Sequence, residues 1–233
     1  MSAQPATTPE ARDPIGEKRN PNQWTPLALR GSRLRRWWRG IALGLALLLL
    51  VGAGAYLAWA SRPLPREGTV AQIDAGALQV ERAEGTWEPL QVGDTVLQGH
   101  RLRSDQGTIA LIQFFDGSQM RVESAGEWEI EQLEGSPGGR ASRTTIRQRA
   151  GQASLVSAPL QRGTNSRLRL ELPGGSVQLV GAATFATDAQ GTTTCTLLQG
   201  QGHVQAGKTR VTLSPGEVSS LLANGELSPP QDE

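Results

Sequence analysis

The sequence predicts an all-β external domain, a sandwich, jelly roll or short β-roll of many short strands, that follows a single transmembrane α-helix. Three observations lead to this fold class. An uncharged run occupies positions 40–60 of the 233-residue chain. From Gly68 onward, short runs of alternating apolar and polar residues are separated by Gly, Pro, Asp and Asn. The net charge is +5 over residues 1–39 and −4 over residues 61–233, which indicates different surroundings for the two parts.

Residues 1–39 are predicted to form a disordered, basic cytoplasmic tail. Four prolines lie within residues 1–23, and large apolar side chains are few there. Such a segment cannot bury enough apolar surface to offset the entropy lost on ordering. Residues 24–39 are basic and contain three tryptophans. They are read as a plain topology signal, and the alternative is a segment that lies on the anionic inner leaflet.

Residues 40–60 are predicted to form the transmembrane helix. At about 1.5 Å per residue this run is roughly 32 Å long, enough for a hydrocarbon core of about 30 Å. The positive-inside rule places the N-terminus in the cytoplasm and the C-terminal domain in the periplasm or outside the cell. The expected location is therefore the cytoplasmic (inner) membrane. The topology signal consists of five basic residues that precede the run: Arg30, Arg33, Arg35, Arg36 and Arg39.

Two features of the apolar run leave alternatives open. Ala58-Trp59-Ala60 fits a small-x-small cleavage site, although the run is longer than the apolar part of a signal peptide, so an uncleaved anchor is preferred. Gly40 and Gly44 have the spacing of a close-packed helix pair, which would give a homodimer through the helix. Because glycine is common in membrane helices, the plainer explanation is preferred.

The β domain is predicted over residues 61–223, followed by a flexible tail over residues 224–233. Arg167–Leu172 and Glu127–Glu131 alternate strictly between apolar and charged residues, as in strands with one solvated face. Asp116-Gly117 predicts a two-residue hairpin turn in which both central residues have positive φ. No helix is predicted after residue 60.

Several short motifs follow one another in a specific order over about residues 66–223. They are Gly68-Thr69-Val70, Gly76–Val80, Trp87–Asp94, Val96–Ser104, Phe114–Ser118, Leu168–Leu179, Thr193–Leu213 and Pro215-Gly216-Glu217. Together they resemble the FecR-type domain family. The resemblance implies a membrane-anchored external β module that acts in signalling or regulation.

The chain departs from that family at several points. His100 stands where an acid is usual, and Ala182-Ala183 stand where Gly-Thr is usual. The 39-residue tail does not resemble the helical anti-sigma domain of family members that regulate sigma factors. The additional C-terminal lobe of the iron-transport regulators is also not expected here. The resemblance therefore supports the fold and the anchored module more than regulation of a sigma factor by this chain alone.

No catalytic, cofactor-binding or metal-binding residue is predicted, and the chain is not expected to be an enzyme. Its two histidines, His100 and His203, each follow a glycine at a turn-like position. Its single cysteine, Cys195, lies in a β-branched run and is expected to be a buried thiol. The alternative for Cys195 is a disulfide between two chains.

The best candidate site is a band of seven arginines within residues 135–170, which contain no acidic residue. Arginine's planar fork suits phosphate and carboxylate groups. The candidate contacts with an anionic partner are Arg140, Arg143, Arg147 and Arg149. The alternative is that these arginines balance acidic strands of the same domain, in particular Glu127, Glu129 and Glu131.

Two functional hypotheses follow. The first is a non-enzymatic sensing or scaffolding module that binds another envelope protein, with a role in signal transduction or regulation. The second is a module that binds an anionic envelope polymer, a glycan or a lipid surface, because the arginine band could dock on one. Nucleic acid is not expected as a partner, because the domain is placed outside the membrane.

Overall fold

The structure is a computed structural model that describes residues 32–60, 62–137, 139, 141–159 and 165–232. The first 31 residues of the expected tail, with Arg30, lie outside the described residues, and so does Arg140. Most of the described residues lie in strands, and one apolar helix precedes them. The predicted fold class is therefore confirmed.

Helix α1 runs over Ser32–Ala60, and its segment Ile41–Ala60 is long and apolar enough to cross a membrane. The helix begins before the predicted start at Gly40, because the Arg, Leu and Trp residues of the basic segment continue a helix without a break. Apolar side chains are exposed all around the described part of the helix. Such a surface is stable in lipid rather than in water. That the helix spans a membrane, and on which side of it each end lies, are still predictions.

Among the described residues, fifteen strands follow the helix in the chain. They are β1 Leu64–Pro65, β2 Glu67–Ala75, β3 Leu78–Ala83, β4 Thr86–Pro89, β5 Thr95–Leu97, β6 Arg101–Ser104, β7 Ile109–Phe114, β8 Gln119–Gly135, β9 Ala141–Val156, β10 Asn165–Leu172, β11 Gly175–Thr187, β12 Thr193–Ala206, β13 Thr209–Leu213, β14 Glu217–Leu221 and β15 Gln231–Asp232.

The strands pair in two runs, which we call the front layer and the back layer. The front layer has the order β4-β3-β6-β8-β9-β10-β11-β12-β13, and the back layer has the order β5-β2-β7-β8-β9-β11-β12-β14-β15. All of these neighbours are antiparallel except β9 and β10, which are parallel. Apolar residues of both layers, such as Leu102 in front and Ile112 behind, belong to one buried cluster. The β domain is thus a two-layered structure around a single core.

Four strands run through both layers, and they are longer than the predicted short strands. β8, β9, β11 and β12 have 17, 16, 13 and 14 residues, respectively. β8 pairs with β7 up to Glu123 and with β6 from Gly126, and Ser124 between them has φ 89°. β11 changes its neighbour from β10 to β9 next to Gly181. Bulges and positive φ at such points let one strand leave one layer and enter the other.

The alternating segments are strands with one buried face, as predicted. In β10, Leu168, Leu170 and Leu172 are buried, and in β8 Trp128 and Ile130 are fully buried. Their charged neighbours lie on the opposite, solvated face of the front layer. The period of two in the sequence therefore identified the core face of both strands.

The hairpin between β7 and β8 differs from the predicted two-residue turn. Gly117 N–H donates to the Phe114 carbonyl, and Phe114 N–H donates to the Ser118 carbonyl, which leaves three residues in the loop. Only Gly117, at φ 87°, has positive φ, whereas Asp116 does not. The Asp116 carboxylate instead accepts the Ser118 N–H, which favours a turn followed by a one-residue bulge.

The segment after Ala223 also differs from the expected flexible tail. Leu227 packs against the core, and Ser228 hydrogen-bonds with Ser219 and Ser220 of β14. Strand β15 then pairs with β14. This polar segment is ordered because its backbone and hydroxyl groups complete the edge of the back layer, which its composition does not reveal.

Candidate functional site

A row of in-register residues crosses six adjacent strands of the front layer on its solvated face. Residues directly opposite each other on neighbouring strands share a face and contact one another. The row alternates in charge after an aromatic residue at its outer end, and we call it the charged row. Its members, from β4 to β10, are Trp87, Glu81, Arg101, Glu129, Arg147 and Glu171.

Arg101 is the most strongly bonded member of the charged row. One guanidinium nitrogen lies 2.6 Å from a Glu81 carboxylate oxygen, and the other lies 2.6 Å from a carboxylate oxygen of Glu127. The hydrogen bond to Glu127, with the charges of the neighbouring glutamates, raises the pKa of Arg101. Only 9% of the Glu81 side chain is exposed, so its carboxylate depends on this partner.

Trp87 on the edge strand β4 carries two guanidinium groups over its ring. The central carbon of the Arg103 guanidinium lies 4.3 Å from the ring centroid, and that of Arg101 lies 5.7 Å away. The Arg103 Nε also donates to the Gln79 side chain, at 2.6 Å. These contacts fix a half-buried tryptophan and an exposed arginine side by side at one end of the charged row.

Two of the predicted anion contacts, Arg147 and Arg149, form ion pairs within the domain. Arg149 lies 3.2 Å from Glu129 and 3.7 Å from Glu127. Arg147 pairs closely with Glu131 and lies 3.9 Å from Glu129. These are the three glutamates named in the alternative interpretation of the arginine band, so most of the charge on these two arginines is balanced locally.

Arg143 is placed differently from Arg147 and Arg149. It stands in register with Arg167 across the parallel strands β9 and β10, and its only ion pair among the described residues is a 3.9 Å contact with Glu134. Arg167 forms no ion pair within the described part of the chain, and its Nε donates to the Asn165 side chain at 3.4 Å. With Pro63, these residues line a cavity of about 210 Å³.

Sequence reasoning missed several of these residues as site candidates. Trp87, Arg101 and Arg103 lie far from the arginine band in the chain, and Arg167 was not singled out from the rest of the band. Their placement depends on the register between strands whose paired residues are 20 to 28 positions apart in the chain, and no local pattern encodes that register.

The histidines and the cysteine do not assemble into a site. No group of three or more His, Cys, Asp or Glu side chains suited to a metal ion occurs among the described residues. The Leu97 N–H lies 3.2 Å from His100 Nδ1, and burial together with the Arg82 charge lowers the pKa of His100. Cys195 is buried, and burial raises the pKa of its thiol to about 12. A disulfide between chains would therefore require β12 to open.

Comparison with known proteins gives little beyond a distant structural similarity. No protein-family model matches the chain, and no curated protein matches it. Two crystal structures of a candidate anti-sigma factor from Parabacteroides distasonis, at 1.65 and 2.50 Å resolution, match with 12% identity and TM-scores of 0.46 and 0.44. The match covers 57% of this chain and 59% of theirs, which is less than two thirds of their length. A similarity of this size carries no conclusion about function.

Proposed function

We propose that this chain is a single-pass protein of the cytoplasmic membrane whose external β domain is a non-enzymatic sensing or scaffolding module that binds another envelope protein. In this proposal α1 anchors the chain with its N-terminus in the cytoplasm, and the front layer presents the binding surface. The observation that carries the proposal is the charged row, with Trp87 at its end.

The charge pattern of the row favours a protein partner over a uniform polyanion. Each arginine in the row has glutamates as in-register neighbours on both sides. An anionic polymer would gain contact with Arg101 and Arg147 but would meet Glu81, Glu129 and Glu171 at the same time. A protein surface can place charges of both signs at strand spacing, so it can complement the whole row.

The size and composition of this face also suit a protein interface. Five inter-strand steps of about 4.8 Å make the row roughly 24 Å long, comparable with the width of an interface that buries about 800 Å² per partner. Tryptophan and arginine are the residue types that most often dominate binding energy in protein interfaces. Trp87 and Arg103 are already held against each other, so little conformational entropy would be lost on binding.

In-cell photo-crosslinking tests this proposal. A photoreactive residue is introduced at Gln79 or Arg149, both on the face of the charged row, and at Lys208 in the exposed turn between β12 and β13 as the control. We expect Gln79 and Arg149 to capture the same discrete protein and Lys208 not to capture it. Products shared by all three positions would contradict a specific surface on the front layer.

A substitution shows whether capture of the partner requires the charged row or reflects only chance proximity of the two proteins. Trp87→Ala should abolish capture from both positions while the amount of membrane-inserted protein stays unchanged. Val92→Ala is the matched control, because Val92 is 61% exposed and is not part of the row. Capture that survives Trp87→Ala, or capture of lipid or polymer alone, would contradict the protein-binding role.

A second candidate function is the binding of an anionic envelope polymer, glycan or lipid surface. One observation favours it, namely that Arg143 and Arg167 face each other without the carboxylates that balance Arg147. It concerns a different part of the front layer from Trp87 and Arg101.

A further inference from the structure

Arg143 and Arg167 depart from the charge alternation that the charged row follows. Arg147, four residues further along β9, stands in register with Glu129 on one side and Glu171 on the other. Arg143 stands in register with Glu134 on one side but with Arg167 on the other. Like charges directly opposite each other on neighbouring strands destabilise a sheet, so this pair has an unfavourable interaction that the charged row avoids.

The surroundings of the pair do not neutralise it. Glu134 is the only carboxylate that pairs with either arginine among the described residues, and its contact with Arg143 is long, at 3.9 Å. Asn165 contributes a side-chain oxygen to the Arg167 Nε, at 3.4 Å, but no charge. The two guanidinium groups and the Glu134 carboxylate together leave a net charge of about +1 at this position, so an added anion would be attracted.

The space beside the pair suits a small anionic group. Both arginines and Asn165 line the cavity of about 210 Å³, together with Pro63 and Gly135. Pockets for drug-sized ligands are larger, about 300–1,000 Å³. Two guanidinium groups on strands about 4.8 Å apart can each direct a fork of N–H donors at one oxyanion between them. Arginine forks match phosphate geometry in this way.

We propose that Arg143 and Arg167 form a binding site for a phosphate group on the solvated face of the front layer. The phosphate accepts hydrogen bonds from both guanidinium groups and relieves the repulsion between them. The Glu134 carboxylate beside the pair limits the negative charge of the anion that the site can bind. This site goes beyond the protein-binding proposal and is independent of it, because none of its residues belongs to the charged row. The phosphate group can belong to free phosphate or to a lipid headgroup.

The test is a titration of the full chain in an uncharged detergent with inorganic phosphate, followed by phosphorus NMR and calorimetry. An ionic strength of about 0.1 M gives a Debye length of about 10 Å, so that charges elsewhere on the front layer contribute little to binding. We expect saturable binding at one site per chain. The double variant Arg143→Gln/Arg167→Gln should raise the dissociation constant at least about tenfold, because charge-assisted hydrogen bonds are lost.

The matched control is Arg147→Gln/Arg149→Gln, which removes the same charge from the same strand region. It should leave the dissociation constant within about twofold, because those arginines pair with glutamates. Equal weakening of phosphate binding in both double variants would show that the anion is attracted by net charge alone, and it would overturn the proposed site. Phosphate binding that is unchanged in Arg143→Gln/Arg167→Gln would overturn it as well.

Thermal unfolding provides a second, independent readout of the pair. Arg143→Gln/Arg167→Gln should keep or raise the midpoint temperature without phosphate, because a like-charge contact is removed, whereas Arg147→Gln/Arg149→Gln should lower it. Inorganic phosphate should raise the midpoint of the unaltered chain and of the control variant only. A phosphate-induced rise that persists in Arg143→Gln/Arg167→Gln would contradict the proposal.

Two soluble probes distinguish the sources of the phosphate group. Inorganic phosphate represents the free ion, and glycerophosphoglycerol represents the diester headgroup of an anionic lipid. Tighter binding of the inorganic ion assigns the site to free phosphate, and equal or tighter binding of the diester assigns it to a headgroup. Binding of neither probe would overturn the proposal.

Discussion

Gly181 on β11 and Gly200 on β12 stand opposite each other at the point where β11 changes its neighbour from β10 to β9. Both have positive φ, 132° and 90°, and each approaches the backbone of the other strand so closely that a Cβ would overlap it. The passage of this strand pair between the two layers therefore depends on the absence of a side chain at both positions.

Gly181→Ala should lower the free energy of unfolding by at least about 2 kcal/mol, because it combines an unfavourable φ with overlap against the Gln199 carbonyl. Gly99→Ala is the matched control, since Gly99 also has positive φ, 86°, but nothing lies near its Cβ position. There the loss should be about 1 kcal/mol. Denaturant unfolding of both variants measures the difference, and equal losses would contradict the overlap.

Arg101→Met should lower the free energy of unfolding by about 2 kcal/mol, because Glu81 and Glu127 each lose a charge-assisted hydrogen bond. Arg103→Met is the control, because Arg103 is exposed and packs on Trp87 without an ion pair to the described residues. Its effect should be below about 1 kcal/mol. Chemical denaturation at low and high salt checks both values, and similar losses for the two variants would remove Arg101 as the centre of the charged row.

The buried thiol of Cys195 should make the protein less stable at high pH. Its pKa is raised from 9.0 to about 12 in the folded chain, so above pH 9 the unfolded chain ionises while the folded chain keeps the proton. The free energy of unfolding should then fall as pH rises, by about 1 kcal/mol between about pH 8 and pH 10 relative to Cys195→Ala. If the free energy of unfolding depended on pH in the same way in the unaltered chain and in Cys195→Ala, the burial of this thiol would be contradicted.

Truncation after Ala223 should destabilise the β domain, because it removes Leu227 from the core and the Ser228 hydrogen bonds from β14. The expected loss is about 2 kcal/mol. Truncation after Pro230 is the control, since it removes β15 and spares those contacts. Thermal unfolding of both proteins gives the comparison. Equal midpoints for the full chain and the shorter truncation product would support a flexible tail instead.

The predicted orientation can be tested with single cysteines in a Cys195→Ala background. Lys208→Cys lies in an exposed turn of the β domain. A membrane-impermeant maleimide should therefore label it in cells whose outer envelope has been opened and whose cytoplasmic membrane is intact. Ser2→Cys should be labelled only after the cytoplasmic membrane is lysed. The reverse pattern would contradict the positive-inside assignment, and labelling of Lys208→Cys in a fraction released from the membrane would indicate cleavage near Ala60.

The sequence by itself determined the order of the parts and the faces of single strands. An uncharged run of helical composition marks α1, and the period of two marks Leu168, Leu170, Trp128 and Ile130 as core residues. These properties are local, because they depend on which side chains an isolated helix or strand places on one face. The hairpin at Asp116-Gly117 was also found, although its loop has one residue more than predicted.

Only the tertiary structure decided how the strands are arranged around one another. Whether an arginine faces a glutamate, as Arg147 faces Glu129, or another arginine, as Arg143 faces Arg167, depends on the register between strands. The exchange of neighbours at Gly181 and the ordering of Leu227 depend on the same long-range pairing. A shift of one residue in register reverses every contact across a strand pair, and the energy that selects the register comes from the packed core as a whole, so no local segment encodes it.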